Sequence, residues 1–286
     1  MPPCNPRVVV LDFDGTLTDA DLHCEPFHDA SRCELGRMLG WDSSRTREEW
    51  SRAASVLESC PGAAWQMDGR AVCPAAADPY LIANSICKRL LLEHRGVSAE
   101  VDELVFRVHR TAYERVAPSF RPEARAVLEA LTARDYQVWV VTNSHTANVV
   151  RRIDALDLRG RDRVRIRGSA SKFTVCGCTG RHERFQALPE TVHWAPLERC
   201  VYLRRGRYFD ILREIWDACG AGPSSTLVVG DIFELDLAMP YALGAHVHLV
   251  LRKHTVPHER AWADKMERGS CAGSLESLFD RLEMQR

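Results

Sequence analysis

The chain has 286 residues, enough for a large core domain with a smaller one beside it. Apolar residues make up 45% and charged residues 27%, the proportions of a globular chain, and the formal net charge of -1 excludes bulk binding to nucleic acid or an acidic membrane as the main role. No apolar run approaches the roughly 20 residues a membrane-spanning helix needs, and the opening "MPPCNPR" lacks the pattern of a secretory signal, so a cytoplasmic protein is expected. The 11 cysteines, an odd number scattered along the chain, fit free thiols in a reducing compartment better than a disulfide framework.

Val8 to Phe13 is short, continuous and β-branched, which predicts a buried strand. From Asp19 to Ala117 the segments "PFHDASRCELGRMLGW", "TREEWSRAASVLES", "PYLIANSICKRLLLEHRG" and "SAEVDELVFRVHRTAYERV" carry apolar residues at helical spacing, separated by Gly, Pro, Ser and Asp. Within this helical region Trp41, Trp50 and Trp65 are expected to pack. His23 and His28 read as solvated residues at its start.

After Pro118, strands and helices alternate. The helix "RPEARAVLEALTARD" precedes a buried strand, "YQVWVV", that ends in Thr142, Asn143 and Ser144. A helix ("HTANVVRRIDALDL") and the strand "RVRIRG" come next. Arg163, Arg165 and Arg167 suit that strand to a sheet edge kept from aggregating. The stretch from Ser169 to Cys200 is irregular and rich in Gly, Cys and His. Cys176, Cys178 and His182, with His193 or Cys200, match no familiar zinc spacing and read as a loop with free thiols. The helix "YFDILREIWDACG", the strand "STLVVGD", the helix "FELDLAMPYALG", the strand "AHVHLVLR" and a closing helix "SLESLFDRL" complete the chain. Such alternation predicts a doubly wound parallel α/β sheet. The expected division is a core of residues 1–18 and 118–286, with residues 19–117 as an inserted helical cap.

In such sheets ligands bind outside the carboxyl ends of the strands. Three strands end there in polar residues: Asp12, Asp14 and Thr16; Thr142, Asn143 and Ser144; Asp231, followed by Glu234 and Asp236. Converging carboxylates raise one another's pKa unless a cation lies among them, and oxygen-only ligands suit Mg²⁺. One carboxylate could then attack phosphorus while a second moves the proton. "DFDG" as a mere hairpin turn is disfavoured, since "TLTDAD" is a poor partner strand.

This set resembles the haloacid dehalogenase-like superfamily. Its first motif, DxDGT, stands intact as Asp12 to Thr16. The second matches "VWVVTNS" with Thr142, and the fourth matches "LVVGDIFELD" with Asp231 and Asp236. The resemblance implies Asp12 as nucleophile and Asp14 as general acid/base. It implies Mg²⁺ held by Asp12, the Asp14 carbonyl and Asp231, with Asp236 as a further acid and Thr142, Thr16 and Asn143 around the phosphate. The third motif, a lysine, departs from the pattern. Lys172 is favoured because an ammonium is a compact point charge, with Arg204 or Arg205 as rivals or phosphate ligands. The expected activity is Mg²⁺-dependent hydrolysis of a small phosphorylated metabolite through an aspartyl-phosphate. Asp14 argues against dehalogenation, which needs no acid for a departing halide. A phosphomutase, a phosphonate hydrolase using Lys88, or a catalytically weak binding protein are the alternatives.

Overall fold

The computed structural model describes residues 6–60, 62–96, 100–116 and 119–284. The expected boundary between Ala117 and Pro118 lies outside these.

The first strand, β1 (Val8–Leu11), runs straight into the acidic motif. Helix α1 (Ala20–Leu39) starts where the Asp19 side chain accepts the Leu22 N–H, and ends at Gly40 with φ 68°. Helix α2 (Ser43–Glu58) is capped in the same way by Asp42. A short hairpin follows, β2 (Ala64–Met67) and β3 (Arg70–Pro74), before α3 (Pro79–Arg95) and α4 (Val101–Arg115). The hairpin corrects the expectation of a wholly helical region. Its turn is Asp68-Gly69, both at positive φ (50° and 72°), as a two-residue type I′ turn requires.

From Phe120 onward the elements are α5 (Ala124–Thr132), β4 (Gln137–Val141), α6 (Thr146–Asp154), β5 (Val164–Arg167) and α7 (Glu183–Ala187). The small strands β6 (Thr191–Val192) and β7 (Val201–Tyr202) pair antiparallel inside the stretch expected to be irregular. Then come α8 (Gly206–Cys219), β8 (Thr226–Gly230), α9 (Ala238–Ala242), β9 (His246–Val250), α10 (Pro257–Lys265), β10 (Cys271–Ala272) and α11 (Ser277–Arg281).

Six strands form one parallel sheet in the order β10-β9-β8-β1-β4-β5. The chain begins at the centre, winds outward through β4 and β5, then returns to β8 on the other side of β1. That reversal leaves a crevice at the carboxyl ends of β1, β4 and β8. In register, Leu11 lies between Val140 and Val229. Strand β5 is one edge of the sheet, where Arg167 pairs with Glu214 and the Arg165 guanidinium lies 5.2 Å from the Trp139 ring centroid.

Alternation along β1 assigns the two faces. Val9, Leu11 and Phe13 pack with Val127 and Leu131 of α5, Ile153 of α6 and Phe279 of α11. Val8 and Val10 pack with Phe209 and Trp216 of α8, Met239 of α9 and Trp262 of α10. Each such side chain contributes about 1.5–3 kcal/mol when fully buried. With both faces covered, β1 has to be apolar at every position, so its acids can appear only past its end.

Two compact units result: residues 1–18, 66–73 and 120–286, and residues 19–65 and 74–119. The hairpin tip therefore groups with the sheet. Within the helical unit α1 packs on α3 and α4. His23 is buried there, its ring nitrogens 2.8 Å from the Tyr80 hydroxyl and 2.8 Å from the Val116 carbonyl. His28 is also buried, on the Pro79 carbonyl. Neither is a solvated helix-start residue. Trp50 and Trp65 are core residues of this unit, and Trp41 packs edge-on against His94. No helix among the described residues is long and apolar enough to cross a membrane.

Candidate active site

Asp12 follows β1 directly, and its N–H still donates to Val229 O at 2.8 Å, extending the ladder by one residue. The chain then turns at Gly15, with φ 79°. A Cβ at Gly15 would lie 2.2 Å from Asp231 Oδ2, so glycine is required for close approach as well as for conformation. Gly230, at the end of β8, meets the same limit: a Cβ there would lie 2.4 Å from the Asp236 Cβ. Gly15 lets the first motif close on the fourth, and Gly230 lets the fourth fold back on its own Asp236.

Asp12, Asp231 and Asp236 are all buried, and each presents a carboxylate oxygen within 4.8 Å of the others. They are the one such cluster among the described residues; the cysteines and histidines between Cys176 and Cys200 form none, and every described cysteine is a free thiol. Burial, reinforced by Asp236 and Asp231, holds the Asp12 carboxyl well above the usual range despite the opposing pull of Lys172.

Lys172 is 1% exposed, and its Nζ donates to Asp12 Oδ1 at 2.6 Å and Asp236 Oδ1 at 2.7 Å. Burial alone would lower its pKa; the charges of Asp12 and Asp236 win and raise it, so the ammonium persists. The loop that delivers it is tightly bent, with Ser169 and Ser171 both at positive φ (54° and 51°). Its backbone is tied to the second motif: Ala170 N–H donates to the Thr142 carbonyl and Lys172 N–H to Asn143 Oδ1. From the other side, Tyr208 of α8 places its ring 5.2 Å from Nζ and donates its hydroxyl to the Asp236 carbonyl.

The arginine rivals are drawn to backbone carbonyls. The Arg204 guanidinium donates to Leu188 O and Gln186 O. Arg205 is wholly buried and donates to Lys172 O and to Val72 O of the hairpin. It lies beside the lysine's backbone rather than replacing its charge.

Asp14 is half-buried. Its Oδ2 accepts the Ser144 hydroxyl at 2.7 Å. Thr142 is buried, its hydroxyl oxygen accepting the Ser144 N–H, while the Thr16 hydroxyl donates to Asp231 Oδ1 at 3.3 Å. Sequence reasoning gives one of these side chains no role and misses another. Ser144 stands among the polar residues that end the second strand, but its contact with Asp14 is not assigned to it there. Arg252 stands two residues beyond β9, and its Nε lies 2.7 Å from Asp231 Oδ2. The signal was present: the strand-end rule applied to "HLVLR" points to that arginine.

The residues fit a hard divalent cation. The donors are all carboxylate oxygens, and Asp12 is made less acidic by burial and then by its acidic neighbours, a cost that a cation offsets.

The loop after β8 is secured by a second buried acidic pair. Glu234 is gripped by Arg199, whose Nη1 and Nη2 lie 2.8 and 2.6 Å from its two oxygens. Glu259 accepts the Glu234 N–H at 3.0 Å. Buried and facing Glu234, it is pushed up to about 8 and keeps its proton. The unfolded chain releases that proton at about pH 4.3. Between the two values the folded state binds more protons, so stability must fall as pH rises through that window. Glu259→Gln is therefore expected to flatten the fall and to melt above wild type at high pH. Parallel melting-temperature profiles of the two proteins across this range would disprove it.

A carboxylate cluster and a buried lysine thus stand together at the carboxyl edge of a sheet wound both ways from its central strand. The chain belongs to the haloacid dehalogenase-like hydrolases, whose family model matches residues 6–244. No curated protein matches it. Among solved structures it resembles a predicted phosphoglycolate phosphatase from Haemophilus somnus 129PT, with 15% identity and TM-score 0.53 over 96% of this chain and 97% of that one. A predicted phosphatase from Clostridium acetobutylicum aligns at 12% identity and TM-score 0.53, covering 97% and 98%. A presumed HAD-hydrolase, YfnB from Bacillus subtilis bound to magnesium, aligns at 14% and 0.50, covering 98% and 100%. At these identities the likeness is one of fold.

Proposed function

We propose that the protein is a Mg²⁺-dependent phosphatase that hydrolyses a small phosphomonoester through an aspartyl-phosphate on Asp12. The observation that carries this reading is the pairing of two differently placed acids on one turn. Asp12 is buried and charge-paired with Lys172, whereas Asp14 is half-buried and oriented by Ser144. The first suits attack on phosphorus and the second suits proton transfer at the water-facing side. A halide would need no such acid.

In the first step an Asp12 oxygen bonds to phosphorus, the bond to the ester oxygen breaks, and Asp14 gives that oxygen its proton. In the second, Asp14 takes a proton from water as the water oxygen attacks phosphorus, and the bond to Asp12 breaks. Lys172 balances Asp12 and Asp236 throughout and holds the nucleophile in place. Asp12, the Asp14 carbonyl and Asp231 would hold the metal. Mg²⁺ would supply charge neutralisation at the transferred phosphoryl oxygens. Lys88 pairs with Asp102 at 2.6 Å and lies over the Trp65 ring within the helical unit, which does not favour a Schiff-base lysine.

The test is phosphate release from a panel of small phosphomonoesters, with Mg²⁺ and with a chelator. Release that requires the metal is the expected result. Release indifferent to chelation, or halide release from a 2-haloacid in its place, would overturn it.

A further inference from the structure

Arg252 takes no part in the steps above, yet it is buried against the carboxylate cluster. Its side chain and that of Asp231 are 1% and 2% exposed, with Nε 2.7 Å from Oδ2. Its Nη2 lies 3.5 Å from the Asp231 carbonyl, and its N–H donates to Thr255 Oγ1 at 2.8 Å, which fixes the turn after β9. Gly15 passes directly over the pair: a Cβ there would sit 2.2 Å from Asp231 Oδ2 and 3.2 Å from Arg252 Nε. The other Asp231 oxygen accepts the Thr16 hydroxyl. Each carboxylate of the cluster thus has a resident cation, Lys172 for Asp12 and Asp236, and Arg252 for Asp231.

We propose that Arg252 is a positioning residue that shares Asp231 with the divalent cation and holds the affinity for that cation down. The inference rests on the metal reading above. A guanidinium fixed in a dry site repels an incoming dication far more strongly than one in water. Asp231 also gives part of its charge to Arg252 and offers less to the metal. In return, the ion pair keeps Asp231 from being a buried charge without a counterion before metal arrives. The acidic cluster therefore stays folded without metal, and the metal remains exchangeable.

The test is calorimetric titration of MgCl₂ into wild type, Arg252→Gln and Arg252→Lys, with melting curves in chelator and in Mg²⁺. Arg252→Gln is expected to bind Mg²⁺ about tenfold tighter or more, as a nearby like charge is removed. It should melt below wild type in chelator and recover with Mg²⁺. Arg252→Lys, which keeps the charge, should stay within about threefold of wild type. Unchanged or weaker Mg²⁺ binding by Arg252→Gln overturns the inference alone. If that variant does not fold, Arg252→Lys decides: a marked loss of Mg²⁺ affinity means that the fork of the guanidinium, not its charge, is what matters. A wild type that binds no Mg²⁺ overturns the metal reading and this inference with it.

Discussion

Asp12→Asn is expected to lower phosphate release by about a thousandfold or more while leaving the protein folded. Asparagine is nearly isosteric, and its carbonyl oxygen can still accept from Lys172, whose second bond to Asp236 is untouched. The residue's place at the end of β1 is set by the N–H donated to Val229 O, which the substitution preserves. What disappears is the negative oxygen proposed to attack phosphorus. The substitution also removes a carboxyl that burial, and then its acidic neighbours, hold above the usual range, so no loss of melting temperature is expected. Steady-state phosphate release and a thermal melt on the same preparation separate the two effects. Turnover that survives in a folded Asp12→Asn protein would remove the proposed nucleophile.

The second large effect is expected at Lys172. In Lys172→Met the apolar stem is replaced and the charge is lost, leaving Asp12 and Asp236 buried without their shared cation. Breaking a buried ion pair from one side costs about 3–5 kcal/mol. Protonation of one carboxyl should recover part of this at low pH, and a divalent cation at the cluster should recover part at neutral pH. Turnover is expected to fall by at least about 10²-fold, since the proposed nucleophile would then exist largely in its neutral form. Arg204→Gln makes the control. That guanidinium is spent on the carbonyls of Leu188 and Gln186, so turnover should stay within about threefold of wild type. Chemical denaturation with and without Mg²⁺, beside the kinetics, measures both arms. A Lys172→Met protein as stable and active as wild type, with Arg204→Gln inactive, would transfer the role to the arginine.

The sequence by itself determined the architecture and the acidic motifs, because both are written in local pattern. A strand buried on both faces must be continuously apolar, so "VVVL", "VWVV" and "TLVV" announce themselves, and the polar residues that end them mark the carboxyl edge where ligands bind. The hairpin at Ala64–Pro74 was legible too: Asp68-Gly69 between short apolar runs is the strongest short hairpin signal, but the helical periodicity on either side masked it.

Only the tertiary structure decided which cations join the acids. Lys172 and Arg205 have nearly equal claims by spacing. The difference arises because two serines at positive φ and the Asn143 side chain bend residues 169–172 toward Asp12, while Arg205 is taken up by the carbonyls of Lys172 and Val72. Contacts over 100 residues or more, such as Lys172 to Asp12 and Ser144 to Asp14, leave no periodic trace. The same holds for His23 and His28, which look like polar helix-start residues until Tyr80, Val116 and Pro79 supply the partners that make their burial possible. Charge and polarity are local properties of a chain; the groups that neutralise them in a dry interior are chosen by packing.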